Sequence, residues 1–290
     1  MLFVFWDLSF SACPFGFIRI RFWKFKFSIK IKNIKLYKQF KSIKLKKDTV
    51  IYGSRPVIEA IKSGKEIDKI LIQSGLKNEL FYELKKLINQ FDIPFQYVPI
   101  QKLNRITSKN HQGLIAYASI IEYQNIENVL PMFYEQGKVP FIMILDRITD
   151  VRNMGAIART AECAGVQAII IPSKGSAMIN SDAIKTSAGA LSKILVCRSN
   201  DLKDSIEFLK NCGLQIIACT EKAENNYYDA DYTKPTAIIM GSEENGISSE
   251  YLKLSDMQVK ISVMGEIESL NVSVAAGIIA FDAVKQRLSL

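Results

Sequence analysis

"VPFIMILDRITDVRNMGAIARTAECAGVQAIIIP", residues 139–172, decides the fold. It opens on a continuous apolar run, 139–145, of the kind found in strands covered on both faces. A polar loop follows, in which Asp146 ends the strand and Asp150, Arg152 and Asn153 stand exposed before a helix expected over 154–164. Gly165 stops that helix, and a second apolar run closes the unit at 165–172. Strand, helix, strand in this order is the building block of a parallel α/β sheet.

The same alternation extends outward in both directions. Toward the C-terminus, "KILVCR" (193–198), "GLQIIACT" (213–220), "TAIIMG" (236–241) and "MQVKISV" (257–263) are expected strands. "DLKDSIEFLKNC" (201–212) is an expected helix, capped by Asp201 and stopped by Gly213. Toward the N-terminus, "EIDKILIQ" (66–73), "IPFQYVPI" (93–100) and "GLIAYASI" (113–120) are expected strands, with a helix at "NELFYELKKLINQF" (78–91). The expected organisation is a small α/β unit over 49–121, a Pro/Gly-punctuated linker with a short helix over 122–138, and a larger, mostly parallel α/β unit over 139–290. Ligands of such sheets bind beyond the carboxyl ends of the strands.

Composition bounds the function classes. A 290-residue chain that is 48% hydrophobic is globular rather than disordered. The formal net charge of +9 is unevenly placed: residues 1–48 carry 12 Lys and Arg against two Asp, leaving 26 basic and 27 acidic residues for 49–290. Any RNA-binding surface on the body is therefore a local patch, not a global field. The cysteines number five without a C-x-x-C pair, and His111 is the single histidine, so no metal site is expected and the cysteines are expected as reduced thiols of a cytoplasmic protein. Residues 1–48 mix Phe, Trp, Ile and Lys, and their longest uncharged run, Leu8–Ile18, is short of the roughly 20 residues of a membrane span. Their charge follows the aromatics rather than preceding them, against a secretory signal. Two readings stay open: a basic arm for RNA or a membrane surface, and, favoured because its composition shares nothing with the rest, an extension that is not part of the working protein.

Three loops at strand ends carry candidate chemistry. In the first, Asp150 or Asn153 serves equally as a helix cap, and Arg159 as a solvated helix residue. In the second, "IIMGSEENGISSEYL" (238–252), Gly241 and Gly246 flank Glu243 and let a ligand approach the backbone; a plain turn explains them as well. In the third, "GEIESLNVSVAAG" (265–277), Ser269 and Asn271 stand at the start of a helix whose Val272, Val274, Ile278, Ile279 and Phe281 are expected to bury it. Ser269 is there a cap or a ligand contact. Neither G-x-G-x-x-G nor G-x-x-x-x-G-K-[ST] occurs, so NAD and ATP lack support.

In order and spacing, "DRITDVRNMGAIARTA", "IIMGSEENG" and "KISVMGEIESLNVSVAAGI" resemble the three signature motifs of the SpoU (TrmH-like) class of SPOUT RNA 2′-O-ribose methyltransferases. "YGSRPVIEAI" (52–61) and "NHQGLIAYAS" (110–119) resemble the substrate-binding domain of the bacterial members that methylate a guanosine of 23S ribosomal RNA. The resemblance implies a C-terminal domain with a deep trefoil knot, a homodimer with the active site near its interface, and S-adenosylmethionine as methyl donor. It places Met240, Gly241, Ile261, Gly265 and Leu270 on the cofactor. Asn153, Arg159, Glu243, Ser269 and Asn271 fall in the catalytic neighbourhood, and Arg55, His111, Gln112 and Arg152 on the RNA. Where the family has Ile-Pro, this chain has Ile261-Ser262, a change expected to loosen that strand end.

The rivals are the same chemistry on a D-loop guanosine of tRNA, and an RNA-binding assembly factor without catalysis. For the reaction itself, a guanidinium with a pKa above about 12 is a poor proton acceptor, so Arg159 suits phosphate binding and alkoxide stabilisation better than general-base work.

Overall fold

The computed structural model describes residues 49–267 and 269–289; the readings of residues 1–48 lie outside them. The chain first builds β1 (Thr49–Tyr52), α1 (Ser54–Lys62), β2 (Ile67–Gln73), α2 (Glu79–Gln90), β3 (Phe95–Val98), α3 (Ile100–Ile106) and β4 (Leu114–Ala118). These strands form one sheet in the order β1-β4-β2-β3, with β4 antiparallel to both neighbours and β2 parallel to β3. Helices α1 and α2 cover one face, where Val57, Ile58, Ile61, Phe81, Leu84 and Ile88 bury against Ile70, Ile72, Leu114 and Ala116. The other face is only part covered: Leu103 of α3 packs on Leu71, Val98 and Ile115.

Helix α4 (Ile126–Glu135), capped by Asn125, leads into β5 (Phe141–Leu145), α5 (Val151–Cys163), β6 (Ala168–Pro172), α6 (Ser181–Thr186) and β7 (Leu195–Ser199). There follow α7 (Leu202–Asn211), β8 (Gln215–Cys219), β9 (Asn225–Asn226), β10 (Thr236–Met240), α8 (Ser249–Leu254), β11 (Met257–Lys260) and α9 (Val272–Leu288). Seven parallel strands run in the order β7-β6-β5-β10-β8-β11-β9. Every residue of β5 and β10 is buried, as a strand between two helical layers requires. Small residues let α5 and α9 share one core, with Ala158 and Ala161 buried alongside Ala276, Ala280 and Ala283. Gly277 admits Thr160 so closely that an added Cβ would lie 3.3 Å from its Cγ2.

The α/β class and the parallel sheet agree with the sequence reading; several element bounds do not. Helix α5 starts at Val151 rather than 154, because the Asp150 carboxylate accepts from the Arg152 and Asn153 amides and pulls both residues into the first turn. Elements β1, α1, α3, α6 and α8 escaped the pattern because none exceeds nine residues, too few to show a period. The expectation that Val272, Val274, Ile278, Ile279 and Phe281 all bury α9 is corrected in part. Val272 and Ile279 are buried, but Val274 and Phe281, seven residues apart on one face, are 51% and 50% exposed.

Candidate active site

The carboxyl ends of β5, β8, β10 and β11 bring the three loops together. Helix α5 presents Asn153 in its first turn, β10 runs into Gly241 and Glu243, and α9 starts at Asn271. Their side chains form one hydrogen-bonded group. Asn271 Nδ2 donates to Glu243 Oε1 (2.6 Å) and Asn153 Oδ1 (3.0 Å), and Asn153 Nδ2 donates to the same Glu243 oxygen (3.1 Å). The Val272 amide adds a third donor to that oxygen at 3.3 Å. The cap of α9 is Asn271, not Ser269: its Oδ1 accepts from the Ser273 amide at 2.9 Å.

Beside this group opens a cavity of about 340 Å³, within the range of small-molecule sites. Met240, Gly241, Ile261, Val263, Leu270 and Val272 give it an apolar side, while Ser242, Glu243, Glu244 and Ser269 give it a polar one. Sequence reasoning missed Thr220, Glu221 and Lys222, which line it from the end of β8. The strand-end rule could have found them, since β8 was legible as a strand. Cys219 lines it too; burial first, then Glu221, pushes its thiol up to about 12, so it stays protonated.

The loop between β10 and α8 is held from beneath. Ser242 and Gly246 pair through both backbone amides, and a Cβ on Gly241 would lie 2.2 Å from the Gly246 carbonyl carbon. Buried Asp146 accepts from the Ser248 amide at 2.8 Å and pairs with Arg147, whose Nη2 donates to the Gly246 carbonyl at 3.3 Å. Arg147 adopts φ 57°, a left-handed conformation uncommon for a side-chain-bearing residue and found mostly where surroundings enforce it.

Two family models match the chain. The SpoU rRNA methylase family covers residues 140–281, and an RNA 2′-O ribose methyltransferase substrate-binding domain covers residues 50–124. A TrmH-family tRNA/rRNA methyltransferase of Staphylococcus saprophyticus is 35% identical over 83% of this chain and 96% of its own. The chain belongs to the SpoU/TrmH family of RNA 2′-O-methyltransferases. Two solved folds agree: the SpoU methyltransferase AviRb of Streptomyces viridochromogenes, determined with AdoMet (TM-score 0.53, 22% identity, 84% of this chain and 92% of that one), and an AdoMet-bound rRNA methyltransferase of Sinorhizobium meliloti (TM-score 0.53, 23% identity, 82% and 87%).

Against this SpoU framework the remaining candidates sort by position. Gly241, Met240, Ile261 and Leu270 line the cavity; Gly265 does not. Arg159 and Arg152, seven residues apart on α5, share one exposed face, and neither side chain has a hydrogen-bond or ionic partner among the described residues. Arg159 thus does not join the Asn153–Glu243–Asn271 group. Arg55 and Gln112 are exposed and adjacent through Gly53, against which the Gln112 side chain lies. His111 is buried with both ring nitrogens engaged, Nδ1 accepting from the Gly113 amide and Nε2 facing Asn104 Oδ1 at 2.8 Å. It shapes the turn that carries Gln112, and no ring nitrogen is left for RNA. The expected loosening at Ser262 is offset by a tether, because its hydroxyl donates to Asn226 Oδ1 at 2.6 Å.

Proposed function

We propose that this SpoU-family protein methylates the ribose 2′-hydroxyl of a guanosine in 23S ribosomal RNA, using S-adenosylmethionine. The observation that carries the reading is the convergence of Asn153, Glu243 and Asn271 at the rim of a cavity that suits such a donor. Its apolar wall of Ile261, Leu270 and Met240 fits an adenine ring, the exposed residues 243–245 at the tip of the Gly241–Gly246 turn offer hydrogen-bonding groups, and Glu221, Glu243 and Glu244 favour a cation. Bound there, the sulfonium supplies an activated methyl group and its own leaving group.

The protein's part is then positioning and charge. Glu243 holds Asn153 and Asn271 in one orientation; Asn271 spends both amide hydrogens and its carbonyl oxygen inside the group, so the second Asn153 Nδ2 hydrogen and the Glu243 Oε2 oxygen are the polar atoms fixed toward the ribose. Arg159, exposed and unpaired among the described residues, is available to a phosphate and to developing alkoxide charge, with the proton leaving through a neighbour or water. Arg55, Gln112 and Arg152 are the proposed RNA contacts. The exposed Val274 and Phe281 on α9, with Ile267 80% exposed nearby in sequence, fit the apolar contact of a homodimer. The trefoil knot implied by the motifs belongs to the same reading. The tRNA/rRNA description of the Staphylococcus relative keeps a tRNA guanosine as the second substrate.

The test offers labelled S-adenosylmethionine with unmodified 23S ribosomal RNA or unmodified tRNA, and maps any 2′-O-methyl by resistance to alkaline cleavage. Label at one ribosomal guanosine, lost in Arg159→Ala, is the expected result. Label in tRNA overturns the substrate, and label in neither overturns the catalytic reading.

A further inference from the structure

The half-open face of the small sheet is not used by any of the chemistry above. Strand register places its residues in two rows. Val50, Tyr117 and Lys69 lie side by side across β1, β4 and β2; Tyr52, Ile115, Leu71 and Gln96 form the next row. Helix α3 seals only the second row, through Leu103 on Leu71 and Ile115. Tyr52 and Tyr117 are left half-buried at its margin, as diagonal neighbours on adjacent strands, a spacing of about 7–8 Å that long aromatic side chains bridge.

The charge around these rings has one sign. Lys109 Nζ lies over the Tyr52 ring, 5.3 Å from its centre, on a flexible stem that an incoming base would displace toward its own phosphate, and Lys69 is the register partner of Tyr117. Helix α3 and the turn after it, 100–110, add Lys102 and Arg105 and contain no acidic residue. The one carboxylate of β2, Asp68, is turned away into an ion pair with Arg198. A flat surface with two aromatic rings and flanking cations matches the needs of unpaired nucleobases, whose faces stack on aromatic rings while their phosphates meet lysines.

We propose that this face is a stacking platform for single-stranded RNA, with Tyr52 and Tyr117 receiving bases and Lys69 and Lys109 their phosphates. The proposal rests on RNA being the substrate and assigns a second contact with it, adjoining the Arg55–Gln112 turn through Tyr52 and Gly53 and made of residues outside the methyl-transfer cavity. Tyrosine suits such a surface because it gives a broad π-face at small conformational cost, and half-burial has already fixed its orientation.

The experiment compares Tyr117→Leu, Tyr52→Leu and the matching Phe variants in the full-length chain, measuring RNA affinity, S-adenosylmethionine affinity, methyl-transfer kinetics, Tm and solution mass. Stacking predicts that each Leu variant weakens RNA binding and raises KM roughly fivefold to a hundredfold. Phe should stay within about twofold of the parent, and cofactor affinity, kcat at saturating RNA and Tm should hold. Lys69→Gln and Lys109→Gln should each flatten the salt dependence of binding by about one counterion. Undiminished RNA affinity in the Leu variants overturns the platform, as does a loss that Phe fails to rescue or that tracks Tm. A change in solution mass instead of RNA affinity overturns it in favour of a protein contact. Weakened RNA binding in a protein that transfers no methyl group would leave the platform standing and remove the catalytic reading.

Discussion

At the scale of single residues, the site turns on one oxygen. Glu243 Oε1 accepts from Asn153, Asn271 and the Val272 amide, three donors on two helices. A carboxylate does this better than an amide because charge strengthens each bond, yet an amide keeps an acceptor in place. Glu243→Ala should therefore lower kcat/KM about a hundredfold or more, as losses of preorganised polar groups do, whereas Glu243→Gln should retain a measurable fraction. Equal losses from the two, read by steady-state methyl transfer, would mean the charge rather than the acceptor matters. The thiols give a second check. Cys219 lies in the cavity wall with its pKa pushed up to about 12, while Cys163 is exposed. A thiol titrating that high carries almost no thiolate at pH 8 and is inert to alkylation. Iodoacetamide at pH 8, followed by peptide mass spectrometry, should label Cys163 and spare Cys219, with labelling of Cys219 rising only as pH climbs toward its raised pKa.

At the scale of elements, the loop after β10 is built by exclusion: Gly241 stands where a Cβ would overlap Gly246 at 2.2 Å, backbone against backbone. No rotamer relieves that contact, so Gly241→Ala must shift the turn that carries Glu243. The expected outcome is loss of cofactor binding by calorimetry, with Tm lowered by only a few degrees because β10 and its neighbours are untouched. An unchanged affinity would show that the turn does not shape the cofactor seat. The same turn illustrates how far sequence reading reaches. Strands β5 to β8 and β10 were legible because buried parallel strands are near-continuous apolar runs, whereas in β11 only Val259 is fully buried and Gln258 and Lys260 alternate with apolar residues. Asn153, Glu243 and Asn271 were candidates from their strand-end loops, but each by itself is equally an ordinary cap or turn residue, and it was the ordered motifs that favoured the functional reading. Asp146 and Arg147 went unread as a support for the turn, because a contact across 102 residues, from Asp146 to Ser248, leaves no local pattern. The true start of α5, which puts Asn153 in the first turn with Arg159 six residues further on, was not legible either, because the Asp150 cap moves it three residues ahead of the expected 154.

At the scale of the whole molecule, the two sheets meet through one charged cluster. Arg198 of β7 pairs with Asp68 of β2, and its guanidinium lies 3.6 Å from the centre of the Tyr123 ring. Tyr123 donates to the same Asp68 oxygen at 2.9 Å, its amide donates to Glu66, and burial, followed by the Asp68 charge, pushes its phenol pKa up. The Asp68 side chain is 4% exposed and that of Arg198 19%, so neither charge is well hydrated if the other is removed. The second link between the sheets, Lys174 with Asp92 at 3.7 Å, is largely exposed and adds little. Removing one member of the buried pair should thus cost about 3 kcal/mol, toward the low end for such pairs because Arg198 keeps some access to water. Replacing both with apolar groups of similar size removes the charges together and should cost less than either single change. Asp68→Leu and Arg198→Met are each expected to lower Tm by roughly 6–12 °C, and the double variant by less. Calorimetry of the four proteins reads the coupling directly. If the singles add to give the double, the members of the cluster act independently of one another, and the orientation of the small sheet must be held by packing around Ile121 and Tyr123 instead.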